Sequence, residues 1–353
     1  MITLSTVKST KIPAIGNECK MMISKTHPER FDTPDMLFAR SMNVIAKNNI
    51  YEEYSKKIPK EASDFDIFRL TSDKIEDSYN RAIWVNPKTK QPYYLLKEDE
   101  LENGDIVLRI LNKNGKFLKN AQVTPQEGIL LDLEDGRKLK TPILDCDITH
   151  TDFIDILASR YNPFAKFKTI NIKKELAENI DNIMSGKEKI ISMSYGAYVT
   201  LNDAAKSGNK IKKDIFNILE EHYPDTLKNI QNFKKYTKTK QILESAGNGG
   251  DKQYSAYLGY TGLQGVGGLN PIGKVDTNSA SRNSLFTQHY ERFNYPITTT
   301  PYGINISGLK GTDIELQHNL KSGIILHIKR GTSYSTPVRA SKILLNNMMN
   351  DII

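Results

Sequence analysis

After residue 140 the chain alternates short apolar runs with stretches of helical periodicity, and this alternation restricts its fold more than any other feature. Ile143-Leu144 reads as a short strand. Thr149 to Arg160 predicts a helix capped by Thr149, with Phe153, Ile154 and Leu157 facing inward. Lys166 to Ile172 reads as a strand, Leu176 to Met184 as a helix, and Ile190 to Ser194 as a strand. Two polar helical stretches, 211–221 and 225–236, precede a strand at Gln241 to Leu243. A helix between two strands has to cross over the sheet. The order therefore predicts an α/β fold, a parallel sheet covered on both faces with functional side chains at the carboxyl ends of its strands.

The first 139 residues read differently. Residues 1 to about 30 show no period, whereas Thr33-Pro34-Asp35 starts a helix with a cap, a first-turn proline and a favourable charge. Between about 80 and 140 the pattern is strands and tight turns. Ala82 to Val85 and Tyr93 to Leu96 make one hairpin, Ile106 to Leu111 begins a second, and Ile129 to Leu133 runs into a turn at Glu134-Asp135-Gly136. Residues 1–139 are thus expected to form an appended α+β region and 140–353 the main domain. The Gly/Ser/Asn-rich stretch from 247 to about 312 reads as loops with short strands, and Gly265-Val266-Gly267-Gly268 as turns within it.

Composition excludes several classes. The 353 residues carry a net charge of +8 from lysines spread along the chain, without the aromatic-interleaved pattern of a nucleic-acid surface. The two cysteines, Cys19 and Cys146, have no paired spacing, so neither a disulfide framework nor a zinc site is indicated. No apolar run approaches a membrane span, and the N-terminus lacks the pattern of a secretory signal. The expected location is the cytoplasm, or outside the cell by a route that uses no such signal.

Chemistry concentrates at Gly331-Thr332-Ser333-Tyr334-Ser335-Thr336-Pro337, which is followed by an apolar-periodic run. This reads as a loop turning into a helix, with Ser333 exposed at its mouth and Pro337 in the first turn, where its missing N–H leaves no helical bond unmade. The motif Gly-Thr-Ser-x-Ser-x-Pro resembles the nucleophile segment of subtilisin-like serine peptidases. Two further segments extend the resemblance in the family's chain order. Ile190 to Gly196 resembles the strand ending in Ser-x-Gly along which substrate main chain adds, implying substrate contacts at Ser194, Tyr195 and Gly196. Ser245-Ala246-Gly247-Asn248 resembles the Ala-Gly-Asn segment, implying that the Asn248 amide stabilises the oxyanion.

The resemblance also calls for a base and an acid. His150, at a predicted helix start before the strand Phe167 to Ile172, is the histidine at a matching junction among six in the chain. The family's Asp-Ser/Thr-Gly string does not occur. Asp145 ends the run Ile143-Leu144, and Asp147 stands just ahead of His150, so either is a candidate for the triad acid. Asp132, after Ile129-Leu130-Leu131, is a third candidate, placed behind them because the Asp-Gly turn that follows gives it the look of a hairpin residue.

Together these features imply a subtilisin-like serine endopeptidase that acts on a polypeptide and needs neither metal nor organic cofactor. The alternative in the same fold is a catalytically weak or inactive scaffold that binds peptide along Ser194-Tyr195-Gly196, or a protein partner. A cysteine nucleophile at Cys146 beside His150 would leave Ser333 and Asn248 unexplained. A phosphate cradle at Gly259 to Gly268 lacks the Lys-Ser/Thr pair that would complete it.

Overall fold

In a computed structural model, the structure describes residues 81–112, 116–133, 138–139, 148–172, 176–201, 208–269, 274–280, 286–300, 303–306, 318–319, 324–350 and 352–353. The expected helix at Thr33 and the expected strand at Ile143-Leu144 lie outside them.

The N-terminal strands are β1 (Arg81–Val85), β2 (Pro92–Glu100), β3 (Ile106–Leu111), β4 (Phe117–Val123) and β5 (Glu127–Leu133). The short pair β6 (Lys138–Leu139) and β7 (Ile148–Thr149) leads to helix α1 (His150–Tyr161). Next come β8 (Lys166–Ile172), α2 (Leu176–Met184), β9 (Ile190–Met193), β10 (Tyr198–Thr200), α3 (Gly208–His222) and α4 (Pro224–Tyr236). Strand β11 (Gln241–Ser245) precedes β12 (Gln253–Ser255), α5 (Ala256–Tyr260), β13 (Gln264–Leu269) and β14 (His289–Arg292). The antiparallel strands β15 (Asn294–Thr300), β16 (Gly303–Ile306), β17 (His318–Asn319) and β18 (Ile324–Arg330) lead into the long helix α6 (Thr332–Met349).

The expected α/β class is found. Six parallel strands run in the order β14-β13-β11-β9-β5-β8. One face packs on α2 to α5 through Ile129, Leu131, Ile180, Ile191, Ile211, Phe233 and Ile242, all at most 2% exposed. The other face packs on α6, where Ala340, Ile343 and Leu344 meet Ile190, Leu243 and Val266. With both faces covered, the central strands are buried runs rather than alternating ones, as Leu130 and Leu131 at 0% exposure illustrate. Truncating such a side chain to alanine would cost about 2–5 kcal/mol.

Chain direction locates the site. From β5 the chain passes through α1 to β8 on one side, then returns through α2 to β9 on the other, so the connections diverge between β5 and β9. A crevice opens at the carboxyl ends of strands at such a switch point.

Three sequence expectations are corrected. The main domain does not begin at residue 140, because β5 is a central strand paired in parallel with both β8 and β9. Its partners lie far along the chain, so it is not a hairpin strand; the expected turn at Glu134 to Gly136 lies outside the described residues. The strands before β5 do form their own antiparallel sheet, β1-β2-β3-β4. That sheet rests on the end of α6, with Trp84, Leu95, Leu108 and Ile110 against Leu345 and Met349, and Trp84 Nε1 donating to Asn346 Oδ1 at 2.7 Å.

Gly265 to Gly268 are not turns either but the interior of β13. A Cβ on Gly267 would stand 2.7 Å from the Tyr290 ring, and one on Gly268 would collide with Phe293, so close ring packing rather than chain reversal excludes side chains there. Finally, Pro337 lies inside α6 rather than in its first turn, and the missing N–H does leave a helical acceptor unserved.

Candidate active site

The site is assembled from the ends of β5, β9 and β11 and the starts of α1 and α6. Helix α1 begins at His150 because Thr149 closes a reciprocal cap. Its side chain accepts from the Asp152 N–H at 3.2 Å, while Asp152 Oδ2 accepts from the Thr149 N–H at 2.7 Å. The cap fixes the helix start, and with it the His150 ring, over the end of β5.

There His150 Nδ1 stands 2.7 Å from Asp132 Oδ2, and Nε2 stands 2.9 Å from Ser333 Oγ. An ionised carboxylate accepts only, so Nδ1 carries the proton in this arrangement and Nε2 presents its lone pair to the Ser333 hydroxyl. Asp132 is 2% exposed and also accepts from the Thr151 hydroxyl at 2.8 Å. The Tyr334 ring lies 4.8 Å from the His150 ring, centroid to centroid. The imidazole is thereby held at both nitrogens and on one face.

The carboxylate that reaches His150 is therefore Asp132, the candidate that sequence placed last. Asp145 and Asp147, which sequence placed ahead of it, lie outside the described residues, as does Cys146. Sequence misjudged Asp132 because the Asp-Gly string after it reads locally as a turn, whereas the strands beside β5, with Asn171 of β8 opposite Asp132 and Met193 of β9 opposite Leu131, do not show in the local sequence. The signal available was the unbroken apolar run Ile129-Leu130-Leu131, typical of a strand buried on both faces.

Ser333 is the second residue of α6, and Gly331 before it has φ +152° and ψ 150°, backbone space that is essentially glycine's alone. A Cβ there would also stand 3.1 Å from Ser333 Oγ and 3.3 Å from Asn248 Nδ2. Those two atoms thus flank one small space. The Ser333 carbonyl, deprived of its helical donor by Pro337, accepts instead from the Ser194 hydroxyl at 2.8 Å. This contact joins the end of β9 to the backbone of Ser333.

Asn248 is exposed but oriented. Its Oδ1 accepts from the Thr332 N–H at 2.9 Å and faces the Thr332 hydroxyl at 3.2 Å, so the opposite end of the amide, Nδ2, is turned toward Gly331 and Ser333. The Thr332 hydroxyl in turn accepts from the Gly247 N–H at 3.0 Å. Thr332, which sequence reading passed over, is the residue that aims Asn248. The first N–H groups of a helix have no intrahelical acceptor, so the Ser333 N–H adds a second donor beside Nδ2, at the positive end of α6.

Of the other expected substrate contacts, Tyr195 is 7% exposed and packs in the core between the sheet and α2 to α5, while Gly196 is half-buried beside Tyr198 and Glu244. Among the described residues no group of three or more His, Cys, Asp or Glu side chains is placed to hold a metal ion.

No family model matches the chain, and no curated protein matches it. Solved structures similar to it include the prenylagaramide maturation protease PagA, at 15% identity and a TM-score of 0.35 over 65% of this chain and 78% of that one. The nisin leader peptidase NisP from Lactococcus lactis is 11% identical, with a TM-score of 0.37 over 64% of this chain and 78% of its own. The psychrophilic subtilisin-like protease Apa1 from Pseudoalteromonas sp. AS-11 is 8% identical, with a TM-score of 0.35 over 65% of this chain and 84% of its own. Likeness at this level assigns no residue a role, so the chemistry rests on the distances above.

Proposed function

We propose that this chain is a serine endopeptidase whose nucleophile is Ser333, with His150 as general base, Asp132 as its orienting acid and Asn248 as oxyanion donor. The observation that carries the reading is the continuous relay from Asp132 Oδ2 through His150 to Ser333 Oγ, with contacts of 2.7 and 2.9 Å. A serine hydroxyl is a weak nucleophile until a base within hydrogen-bond reach can take its proton.

In the first half-reaction Ser333 Oγ bonds to the scissile carbonyl carbon as its proton passes to His150 Nε2. The carbonyl π electrons move to oxygen, and the resulting oxyanion is held by Asn248 Nδ2 and the Ser333 N–H. The oxyanion then collapses, the C–N bond breaks, and the leaving amine takes the proton from Nε2. Water repeats the sequence on the acyl-serine, releasing the new carboxylate and restoring the hydroxyl. Through both halves Asp132 accepts from Nδ1, keeping the tautomer and balancing the imidazolium without being protonated itself. Donors fixed before the charge develops need no reorganisation when it does.

The substrate is a polypeptide. The test incubates the full chain with a mixture of peptides and reads new termini by mass spectrometry. Wild-type protein is expected to generate them and Ser333→Ala is not. Equal cleavage by both would overturn the assignment.

A further inference from the structure

The Tyr198 ring occupies the gap between the backbone segments that leave β9 and β11. A Cβ on Gly196 would stand 2.9 Å from its Cζ and 3.0 Å from its hydroxyl, and a Cβ on Gly247 would stand 2.9 Å from Cε1 and 3.0 Å from Cδ1. Together with Glu244 Oε1, which lies nearer still to the first of these positions, and Gln253 Oε1, which lies nearer to the second, the ring fills the volume that side chains on either wall would need. Its hydroxyl reaches the far end of the gap, bonding to the Ser245 carbonyl at 2.9 Å and to Ser245 Oγ at 2.6 Å.

Behind the ring the gap is closed by Glu244. That side chain is wholly buried, with Oε1 accepting from the Ser255 hydroxyl at 2.6 Å and Oε2 without a hydrogen-bond partner. Burial raises its pKa well above the ordinary carboxylate range. Tyr198 nonetheless remains 36% exposed, so part of it is reachable from solvent.

The gap adjoins the reacting groups on both sides. Asn248 follows Gly247 directly, and on the other wall Ser194 is bonded to the Ser333 carbonyl. In the peptidase reading, on which this inference rests, the attacked carbon lies at Ser333 Oγ with its oxygen toward Asn248 Nδ2. The Cα of that residue is one bond, about 1.5 Å, from the carbon. Its side chain therefore starts beside the gap between the two walls.

We propose that Tyr198 sets selectivity on the acyl side of the scissile bond: its ring fills the pocket that would otherwise receive a side chain, and the substrate carries Gly, Ala or Ser at that position. A larger side chain has to displace a ring clamped between two glycines and held by two hydrogen bonds.

The experiment compares peptidyl diphenyl phosphonates that differ only in the side chain at this position: Ala, Leu, Phe or Lys. The Ala probe is expected to modify wild-type protein at least roughly 10-fold faster than the others, the scale on which a pocket sorts side chains by size. Tyr198→Phe keeps the ring and should keep the preference. Tyr198→Ala should abolish it, accelerating the Leu and Phe probes by roughly 10-fold or more. Wild-type protein that reacts with the Phe or Lys probe as fast as with the Ala probe overturns the proposal, whether or not Tyr198→Ala folds. Reaction with a small fluorophosphonate together with a flat side-chain profile overturns this inference alone. Failure to react with the fluorophosphonate overturns the peptidase reading and this inference with it.

Discussion

Ser194 donates its hydroxyl to the Ser333 carbonyl oxygen at 2.8 Å, supplying the hydrogen bond that Pro337 cannot. The Ser333 backbone is thereby tied to the end of β9 instead of only to its own helix. A strand-end serine expected to line the substrate also bonds, in the folded chain, to the backbone of Ser333.

This relationship makes a double-mutant prediction. Ser194→Ala leaves a carbonyl without its donor, a loss of about 1–3 kcal/mol if no water replaces the hydroxyl. In Ser194→Ala/Pro337→Ala the new N–H at 337 can serve the same carbonyl. Unfolding free energies from denaturant titration should show the second substitution recovering part of the loss. Strict additivity of the two changes would mean that Ser194 and Pro337 do not share this acceptor.

Asp132→Asn is expected to lower kcat by as much as ~10⁴ with the fold retained, because an amide favours the wrong imidazole tautomer and leaves the imidazolium unbalanced. Asp145→Asn and Asp147→Asn should turn over at close to the wild-type rate. A loss of the larger size at either of those positions, with Asp132→Asn near normal, would transfer the acid's role to it. Steady-state kinetics with thermal melts as the folding check decide the matter.

The contrast among these aspartates shows what sequence made legible. Ser333, His150 and Asn248 each sit in a short string whose chemistry is local: a glycine before a helix, a cap before a helix, an asparagine between glycines. The structure brings His150 to Ser333 and turns Asn248 toward the same space. Asp132 depends on which strands flank β5, and those partners come from residues 166–172 and 190–193. The same holds for β13, whose glycines look like turns until Tyr290 and Phe293 are packed against them. Helix α1 carried its own boundary signal in Thr149, and the observed spans of α1 and α2 fall within one residue of the expected ones. The start of α6 was harder, because Pro337 looks like a first-turn residue unless Ser194 is known to replace its N–H.

Asn248→Ala is expected to reduce kcat by about 10²–10³ with KM little changed, since Nδ2 serves a charge that exists only after attack. Measuring both constants on one peptide separates this from substrate holding. A change confined to KM would assign the amide to binding.

Glu244 predicts a pH effect on stability. Its folded-state pKa is raised above 4.5 chiefly by burial, so between that value and the folded pKa the native state holds a proton that the unfolded chain has released. The stability contribution is complete below pH 4.5 and declines as pH rises toward the folded pKa. Glu244→Gln keeps an acceptor for Ser255 and has no such proton to lose. Its melting temperature relative to wild type should therefore rise as pH is raised from 4.5 to neutrality. A difference that does not vary with pH would show that the carboxyl ionises alike in both states.

The most direct measurement is the site of covalent modification by a fluorophosphonate, mapped by tandem mass spectrometry of the digested chain. An assembled Asp132–His150–Ser333 relay predicts one adduct, on Ser333, formed rapidly by wild-type protein, much more slowly by His150→Ala and not at all by Ser333→Ala. Wild-type protein that stays unmodified, or Ser333→Ala protein modified as readily as wild type, would contradict the account.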